Sequence, residues 1–336
     1  TALGARRALV EAAIEGLESA HIETIHSFVS RLLREHPLEA GIDPNFEQLD
    51  DVGAELDFQE QWTDWLWGSD DRSRRLIEQC LRLRMTLESL RKAARLVARF
   101  PEVDPPPEHT AAPPARAVLG RLRSLLEEAR PLTGECRNES DRCFASFARL
   151  SALIAHVDVL PEVLQEPELC NYDFRFEKGN ARNWNPVARD RVIAVLEQAS
   201  RELTDYRRRV VDHMMADLAQ ELSHFVRQSA VSRIRRGRLT FEDLLIEARR
   251  LLRSHPEVLA RVRRRFRYIL VDEFQDTDPV QADIVFLIAS SSPLAPASSW
   301  RDLTVVPGKL FLVGDPKQSI YRFRRADIEA YAEAKE

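Results

Sequence analysis

Hydrophobic residues recur at helical spacing over most of this chain, and few segments show the alternation of a strand. One helical face near the N-terminus is formed by Ile25, Phe28, Val29, Leu32 and Leu33. One long helix, or two nearly collinear helices, is predicted between Pro186 and Gly237, because no glycine or proline interrupts the segment. Proline is favoured at the start of a helix and glycine just after its end, which is where these two residues stand. Helices are therefore expected to dominate the fold.

The segment from residue 50 to residue 236 is predicted to be helical. Trp62 and Trp65 share a face with other apolar residues, which favours a buried core, with stacking platforms for nucleobases as the alternative. The stretch Pro101–Pro114 contains six prolines and is predicted to be a loop or linker.

After residue 237 the pattern becomes that of an α/β layer. Thr240 and Asp243 form a variant of the capping box in front of an amphipathic helix. The runs Tyr268–Val271 and Leu310–Val313 are apolar throughout, which predicts parallel strands that are covered on both faces. A helix opened by an Asp-Pro pair is expected to connect these strands.

Length and composition exclude several classes of protein. The 336 residues correspond to about two domains, and a hydrophobic content of 44% excludes general disorder. The apolar run Ile284–Ala289 has six residues, against about 20 for a membrane-spanning helix. Thr1–Ala20 has the charge pattern of an amphipathic helix and no signal-peptide core, so a cytoplasmic location is expected.

The state of the cysteines and the role of the arginines each have two possible interpretations. The four cysteines form no C-x-x-C pair, which favours reduced thiols over a metal site or a disulfide. The net charge is −5, yet the segment Arg227–Arg267 contains thirteen arginines. Solvated helix faces or contact with a polyanion would explain them.

Acidic and amide residues follow both predicted strands, where α/β sheets bind their ligands. Asp272 is a candidate ligand for the magnesium ion of a nucleotide, because hard cations prefer carboxylate oxygens. Glu273 is a candidate general base for the attacking water. Gln318 is a candidate sensor that bonds the terminal phosphate. Carboxylates that only cap loops are the alternative.

Aromatic and arginine residues alternate after the second strand. Tyr321 and Phe323 could stack on bases while Arg322 and Arg324 hold phosphates, which is a pattern typical of single-stranded DNA binding. Plain core positions for the two aromatic residues are the alternative.

Four segments resemble motifs of the UvrD/Rep superfamily 1 DNA helicases. Asp272–Thr277 is similar to motif II, and Gly314–Arg324 is similar to motif III. Thr24–Phe28 resembles motif Ib, and Leu239–Leu245 resembles the short motif that precedes motif II. The residues that follow motif Ib, namely Arg34, Gly41, Asp43 and Pro44, are similar to those of the RecB/AddA-like exonuclease V helicase subunits.

The resemblance implies an α/β fold: a partial P-loop NTPase (RecA-like) domain with a parallel sheet and a large, mainly α-helical inserted domain. Residues 1–49 and 237–336 would form domain 1A, and residues 50–236 the inserted domain 1B. The implied activity is that of an ATP- and Mg²⁺-dependent helicase, which translocates 3′ to 5′ on single-stranded DNA and unwinds duplex DNA in repair or recombination. A partner subunit of a helicase–nuclease is a further expectation.

The resemblance also implies roles for individual residues. Asp272 would bind magnesium, Glu273 would activate water, and Gln318 would contact the terminal phosphate. For His26 the alternative to a DNA contact is a purely structural histidine at the start of a helix. Contact with single-stranded DNA is implied for Thr24, His26, Tyr321, Phe323 and Arg324.

Two parts of a complete motor are missing from the sequence. It contains no G-x-x-x-x-G-K-[ST] loop for the nucleotide phosphates, and no second RecA-like domain with arginine fingers. The chain is therefore expected to be a fragment that is inactive by itself. The alternatives are a non-catalytic DNA-binding or scaffold module, and the motor part of a helicase–nuclease.

Overall fold

A computed structural model of the chain describes residues 6–7, 10–11, 14, 20–100, 103–107, 111–291 and 299–315. The expectations for Thr1–Ala20 fall largely outside the described residues. None of the described helices is both long and apolar enough to cross a membrane.

Helices dominate the described residues, as predicted. In chain order they are α1 (Ile25–Glu35), α2 (Pro37–Ala40), α3 (Asp51–Gly68), α4 (Asp71–Arg82), α5 (Leu87–Arg99), α6 (Ala115–Thr133), α7 (Arg142–Asp158), α8 (Glu162–Asn171), α9 (Pro186–Arg235), α10 (Phe241–Ser254), α11 (Pro256–Arg265) and α12 (Pro279–Ala289). The strands are β1 (Glu47–Gln48), β2 (Arg238–Leu239), β3 (Ile269–Val271) and β4 (Leu310–Leu312). The α9 helix confirms the long element predicted after Pro186.

The chain forms two compact units. One comprises Thr1–Asp57 and Ala230–Glu336, and the other comprises Phe58–Ser229. The assignment of residues 1–49 and 237–336 to a domain 1A, and of residues 50–236 to a domain 1B, stays a prediction.

Local sequence explains where the helices of the first unit begin. The side chain of Thr24 accepts a hydrogen bond from Ser27 N at 3.2 Å at the start of α1. Thr240 and Asp243 form the predicted capping box at the start of α10. Asp278 accepts a bond from Gln281 N, and Pro279 occupies the first turn of α12. Each cap satisfies backbone donors that a helix start leaves unpaired.

The described residues of the first unit form two sheets, each of which is two-stranded and parallel. Glu47 pairs with Arg238 between β1 and β2, and Ile269 pairs with Leu310 between β3 and β4. The helix α12 lies in the crossover between β3 and β4, so the predicted strand–helix–strand unit is confirmed.

Coverage of β3 and β4 on both faces was predicted, and this prediction is wrong. Leu270 is 74% exposed and Phe311 is 62% exposed, whereas their strand neighbours are half-buried. Side chains alternate between the two faces of a strand, so one face packs against the core and the other is exposed. An apolar run shows that both faces are apolar, but it does not show what covers them.

A hydrophobic core holds the helices of the first unit around this sheet. It includes Val29 of α1, Leu244 and Leu251 of α10, and Phe274, which follows β3; all four are 1% exposed or less. Full burial of such a side chain contributes about 1.5–3 kcal/mol.

The described residues of the second unit form two separate hydrophobic cores. One is built largely from α6, α7 and the first half of α9. The other contains Trp62, which is 5% exposed and packs against Trp65 and Phe225 with ring centroids 5.0 and 5.6 Å away. The core interpretation of these tryptophans is therefore confirmed. The described residues of the Pro101–Pro114 segment carry no helix or strand.

Candidate nucleotide site at the ends of two parallel strands

The chain segments that follow β3 and β4 are joined by backbone hydrogen bonds. Val313 N donates to Val271 O at 2.9 Å, and Phe274 N donates to Val313 O at 2.9 Å. Asp272 and Glu273 lie between these two bonds along the chain. The structure therefore brings the motif II carboxylates next to the first residues of motif III, as expected for parallel strands whose carboxyl ends meet at one edge.

Asp272 and Glu273 are both exposed at this edge. Glu273 has a left-handed backbone, with φ 53° and ψ 40°, and its N–H donates to Oδ1 of Asp272 at 3.0 Å. Such a conformation is unfavourable for a residue with a side chain and costs about 1 kcal/mol. The turn ends β3 abruptly and starts the short 3₁₀ turn Phe274–Asp276.

Phe274 anchors this turn in the core. Its side chain is 1% exposed, and its ring lies 6.4 Å from that of Phe286 in α12. The turn is therefore supported by packing, which offsets the strain at Glu273.

Gln275 connects the two motifs through its side chain. The side chain is 1% exposed; Nε2 donates to Oε2 of Glu273 at 2.5 Å, and Oε1 accepts from Asp315 N at 2.9 Å. Gln275 is not among the site residues predicted from the sequence. The signal that could have identified it is an amide between the acidic residues of motif II.

The donor set fits a magnesium ion. Magnesium keeps several waters and usually takes only one or two carboxylates, in addition to phosphate oxygens. Asp272 offers such a carboxylate, and Oδ1 of Asp276 is buried and has no hydrogen-bond partner in the described part of the structure. No cluster of three or more potential metal-ligating side chains occurs among the described residues. The carboxylate of Asp272 thus suits a metal that also takes water and phosphate oxygens.

Thr24 and His26 lie at the start of α1, in the same unit. Thr24 is exposed and caps the helix, and the ring of His26 contacts that of Phe241 with centroids 5.2 Å apart. Burial lowers the pKa of His26, while the charges of Asp278 and Glu242 act in the opposite direction. His26 therefore has structural partners, and its contact with DNA stays a prediction.

Four predicted site residues lie outside the described residues, so their positions relative to Asp272 stay predictions. They are Gln318, Tyr321, Phe323 and Arg324.

The arginine-rich segment is largely engaged in ion pairs. The buried carboxylate of Asp57 lies 3.9 Å from Arg233, 3.1 Å from Arg236 and 3.4 Å from Arg238. Further carboxylate partners occur at Arg227, Arg250, Arg253, Arg261 and Arg265. Carboxylates within the protein therefore partner many of these arginines, and the arginine count alone is no signature of polyanion contact.

The chain is similar to components of bacterial helicases. RecBCD enzyme subunit RecB of Escherichia coli K12 is 26% identical over 335 residues, covering 95% of this chain and 27% of that protein. An ATP-dependent helicase/nuclease subunit of Natranaerobius thermophilus is 23% identical over 367 residues, covering 94% of this chain and 28% of that protein. RecB of Chlamydia muridarum is 40% identical over 85 residues, covering 25% of this chain and 7% of that protein.

The chain thus spans about a quarter of the length of the first two relatives. A family model, described as the UvrD/REP helicase N-terminal domain, matches residues 4–336. This match agrees with the motifs recognised in the sequence and with the paired strands that carry motifs II and III. The chain belongs to the UvrD/REP helicase N-terminal domain family.

Proposed function

We propose that this chain is part of an ATP- and Mg²⁺-dependent DNA helicase motor that translocates 3′ to 5′ on single-stranded DNA and unwinds duplex DNA in repair or recombination. One observation carries the proposal: the parallel β3–β4 pair holds the motif II carboxylates beside the first residues of motif III. Membership in the helicase family supports the same activity.

Each residue has a distinct role in this proposal. Asp272 would hold the magnesium ion that accompanies the nucleotide, and such an ion would supply Lewis-acid polarisation of the transferred phosphate. Glu273 accepts a proton from the attacking water. Gln318 contacts the terminal phosphate. Contacts with single-stranded DNA come from Thr24, His26, Tyr321, Phe323 and Arg324.

We further propose that the chain needs other segments for activity. Its sequence has no phosphate-binding G-x-x-x-x-G-K-[ST] loop, and it spans about a quarter of its first two relatives. By itself it is expected to hydrolyse no ATP. Tests of function therefore use the full-length protein that contains this chain.

The decisive variant is Glu273→Gln, which removes the proposed base and keeps the size of the side chain. DNA-stimulated ATP hydrolysis is expected to fall about 100-fold or more, with ATP and DNA binding retained. Glu78→Gln is the matched control, because Glu78 forms an exposed pair with Arg82 in the other unit. Unchanged turnover in Glu273→Gln would instead favour a non-catalytic DNA-binding or scaffold module.

A second candidate is the motor part of a helicase–nuclease with a partner subunit. The names of two relatives support this candidate, since one is a subunit of the RecBCD enzyme and the other is an ATP-dependent helicase/nuclease subunit. Metal-dependent DNA degradation by the full-length protein, assayed with and without ATP, tests this candidate. If no degradation is detected alone or with co-purifying proteins, a helicase without nuclease activity is favoured.

A further inference from the structure

We propose that Gln275 is a positioning residue that orients the carboxylate of Glu273 and links it to the segment leaving β4. This inference rests on the proposed role of Glu273 as the general base. It adds a residue that transmits changes in motif III to the base.

The amide of Gln275 is held at both ends. Its side chain is 1% exposed, and both its nitrogen and its oxygen are hydrogen-bonded. A buried amide with donor and acceptor both engaged has little freedom to rotate. The amide is therefore a fixed support for the exposed carboxylate of Glu273.

One end of the amide bonds the carboxylate of the proposed base. Nε2 of Gln275 lies 2.5 Å from Oε2 of Glu273, and a hydrogen bond to an ionised acceptor is stronger than a neutral one. A general base must be held within hydrogen-bond reach of the water that it activates. Gln275 therefore acts on the orientation of the base and does not itself touch the reacting atoms.

The other end of the amide bonds motif III. Oε1 of Gln275 accepts from Asp315 N at 2.9 Å, and Asp315 stands three residues before Gln318 in the sequence. The neighbouring bond from Phe274 N to Val313 O ties the same two segments through the backbone. A shift of the segment after β4 would therefore be transmitted through the Gln275 amide to Glu273.

The test uses Gln275→Glu in the full-length protein. A glutamate keeps an acceptor for Asp315 N, but it loses the donor to Glu273 and places a second carboxylate against it. The measured quantities are kcat and KM for ATP, the ratio of DNA-stimulated to basal turnover, and the thermal unfolding midpoint. The stimulation ratio does not depend on the fraction of folded enzyme, so a purely structural role would leave it unchanged.

Two further variants test the pairing itself. The double variant Glu273→Gln with Gln275→Glu exchanges the hydrogen-bond acceptor and donor. It should therefore restore the thermal unfolding midpoint that the carboxylate pair in Gln275→Glu lowers, while turnover stays low because the base is absent. Gln79→Glu is the matched control, because Nε2 of Gln79 donates to Oε1 of Glu166 at 2.9 Å in the other unit. It creates the same carboxylate pair away from the site and should leave turnover unchanged.

The expected result for Gln275→Glu is a decrease in kcat of about tenfold or more, since misplacing a catalytic group by about 1 Å can cost about 100-fold. The stimulation ratio should fall as well, while KM changes little.

Wild-type kcat and stimulation in Gln275→Glu, combined with an inactive Glu273→Gln variant, overturn this inference and leave the proposed function standing. Full turnover in Glu273→Gln overturns the proposed function itself. If Gln275→Glu does not fold, a folded swap variant supports the pairing and an unfolded one overturns it.

Discussion

Arg233 donates two hydrogen bonds to Asp243, from Nε to Oδ2 at 2.7 Å and from Nη2 to Oδ1 at 2.9 Å. Oδ2 of Asp243 also accepts from Thr240 N at 3.0 Å, which closes the capping box of α10. Burial acts to lower the pKa of Arg233, but the hydrogen bonds to Asp243 raise it above its ordinary value. The start of α10, which belongs to the motif preceding motif II, is therefore held by a charged pair.

Removing the charge of Asp243 should destabilise the protein. Asp243→Asn removes the charged acceptor of both Arg233 hydrogen bonds, leaves Asp57 at 3.9 Å as the remaining carboxylate, and weakens the cap. The free energy of unfolding should therefore fall by about 2 kcal/mol. Urea unfolding at neutral pH measures this change. Asp205→Asn, at the exposed pair with Arg208, should change stability by less than about 1 kcal/mol. Equal effects of the two variants would contradict a special role of the buried pair.

Asp57 should contribute at least as much to stability as Asp243, because its carboxylate pairs with several guanidinium groups. Asp57→Ala removes the buried carboxylate that Arg233, Arg236 and Arg238 share, and a loss of about 3 kcal/mol in the free energy of unfolding is expected. Salt screens repulsion between charges, so the loss should shrink as sodium chloride is raised. Melting temperatures at low and high salt check both statements. Asp71→Ala, at an exposed pair with Arg74, is the control. A loss that does not change with salt would argue against repulsion among the arginines.

The second unit contains a carboxylate that should make stability depend on acid pH. Burial would raise the pKa of Asp141, but its hydrogen bonds, led by that from Asn180 N and including those from Trp184 and Asn183, lower it to about 2. A depressed pKa stabilises the fold above the unfolded value of about 4, and this stabilisation is lost as the pH falls toward 2. The expected loss is about 2 kcal/mol over that range.

Asp141→Asn should remove this part of the pH dependence. Unfolding free energies measured between pH 2 and pH 5 would show a shallower slope in the variant than in the wild type. Asp158→Asn, at a partly exposed pair with Arg123, is a control that should keep the wild-type slope. An unchanged slope in Asp141→Asn would show that other carboxylates cause the acid sensitivity.

Gly179 lies against the same carboxylate. It has φ +62°, and a Cβ atom there would lie 2.0 Å from Oδ1 of Asp141. Gly179→Ala should therefore cost more than the roughly 1 kcal/mol of a left-handed alanine. Gly41→Ala is the matched control, with φ +68° and nothing within 4 Å of the added atom. Both variants carry the backbone strain, but only Gly179→Ala adds the steric conflict, so their thermal unfolding midpoints separate the two effects. Equal decreases in the two midpoints would exclude the conflict.

Tyr321 and Phe323 should contribute to single-stranded DNA binding if they stack on bases. Replacing either by alanine is expected to raise the Kd about 5- to 150-fold, which corresponds to about 1–3 kcal/mol per stacked base. Fluorescence anisotropy with the full-length protein at several salt concentrations measures this effect. Trp67→Ala, at an exposed aromatic residue of the second unit, is the control. Full affinity in both variants would exclude stacking.

Local sequence patterns predicted much of the fold. The capping box at Thr240, the extent of α9 and the parallel pairing of β3 and β4 all follow from the sequence. These features depend on residues near one another in the chain, or on a strand–helix–strand order that limits the pairing. The resemblance to motif II then suggested Asp272 and Glu273 as candidate site residues, and their roles stay predictions.

Tertiary structure alone decided how the charged and polar residues are partnered. The sequence does not show that three arginines converge on Asp57, that Asn180 and Trp184 donate to Asp141, or that Gln275 joins Glu273 to Asp315. It also does not show that Leu270 and Phe311 are exposed. Helix caps and periodicity depend on interactions within a few residues, whereas these contacts join residues that are brought together only when the helices and strands pack.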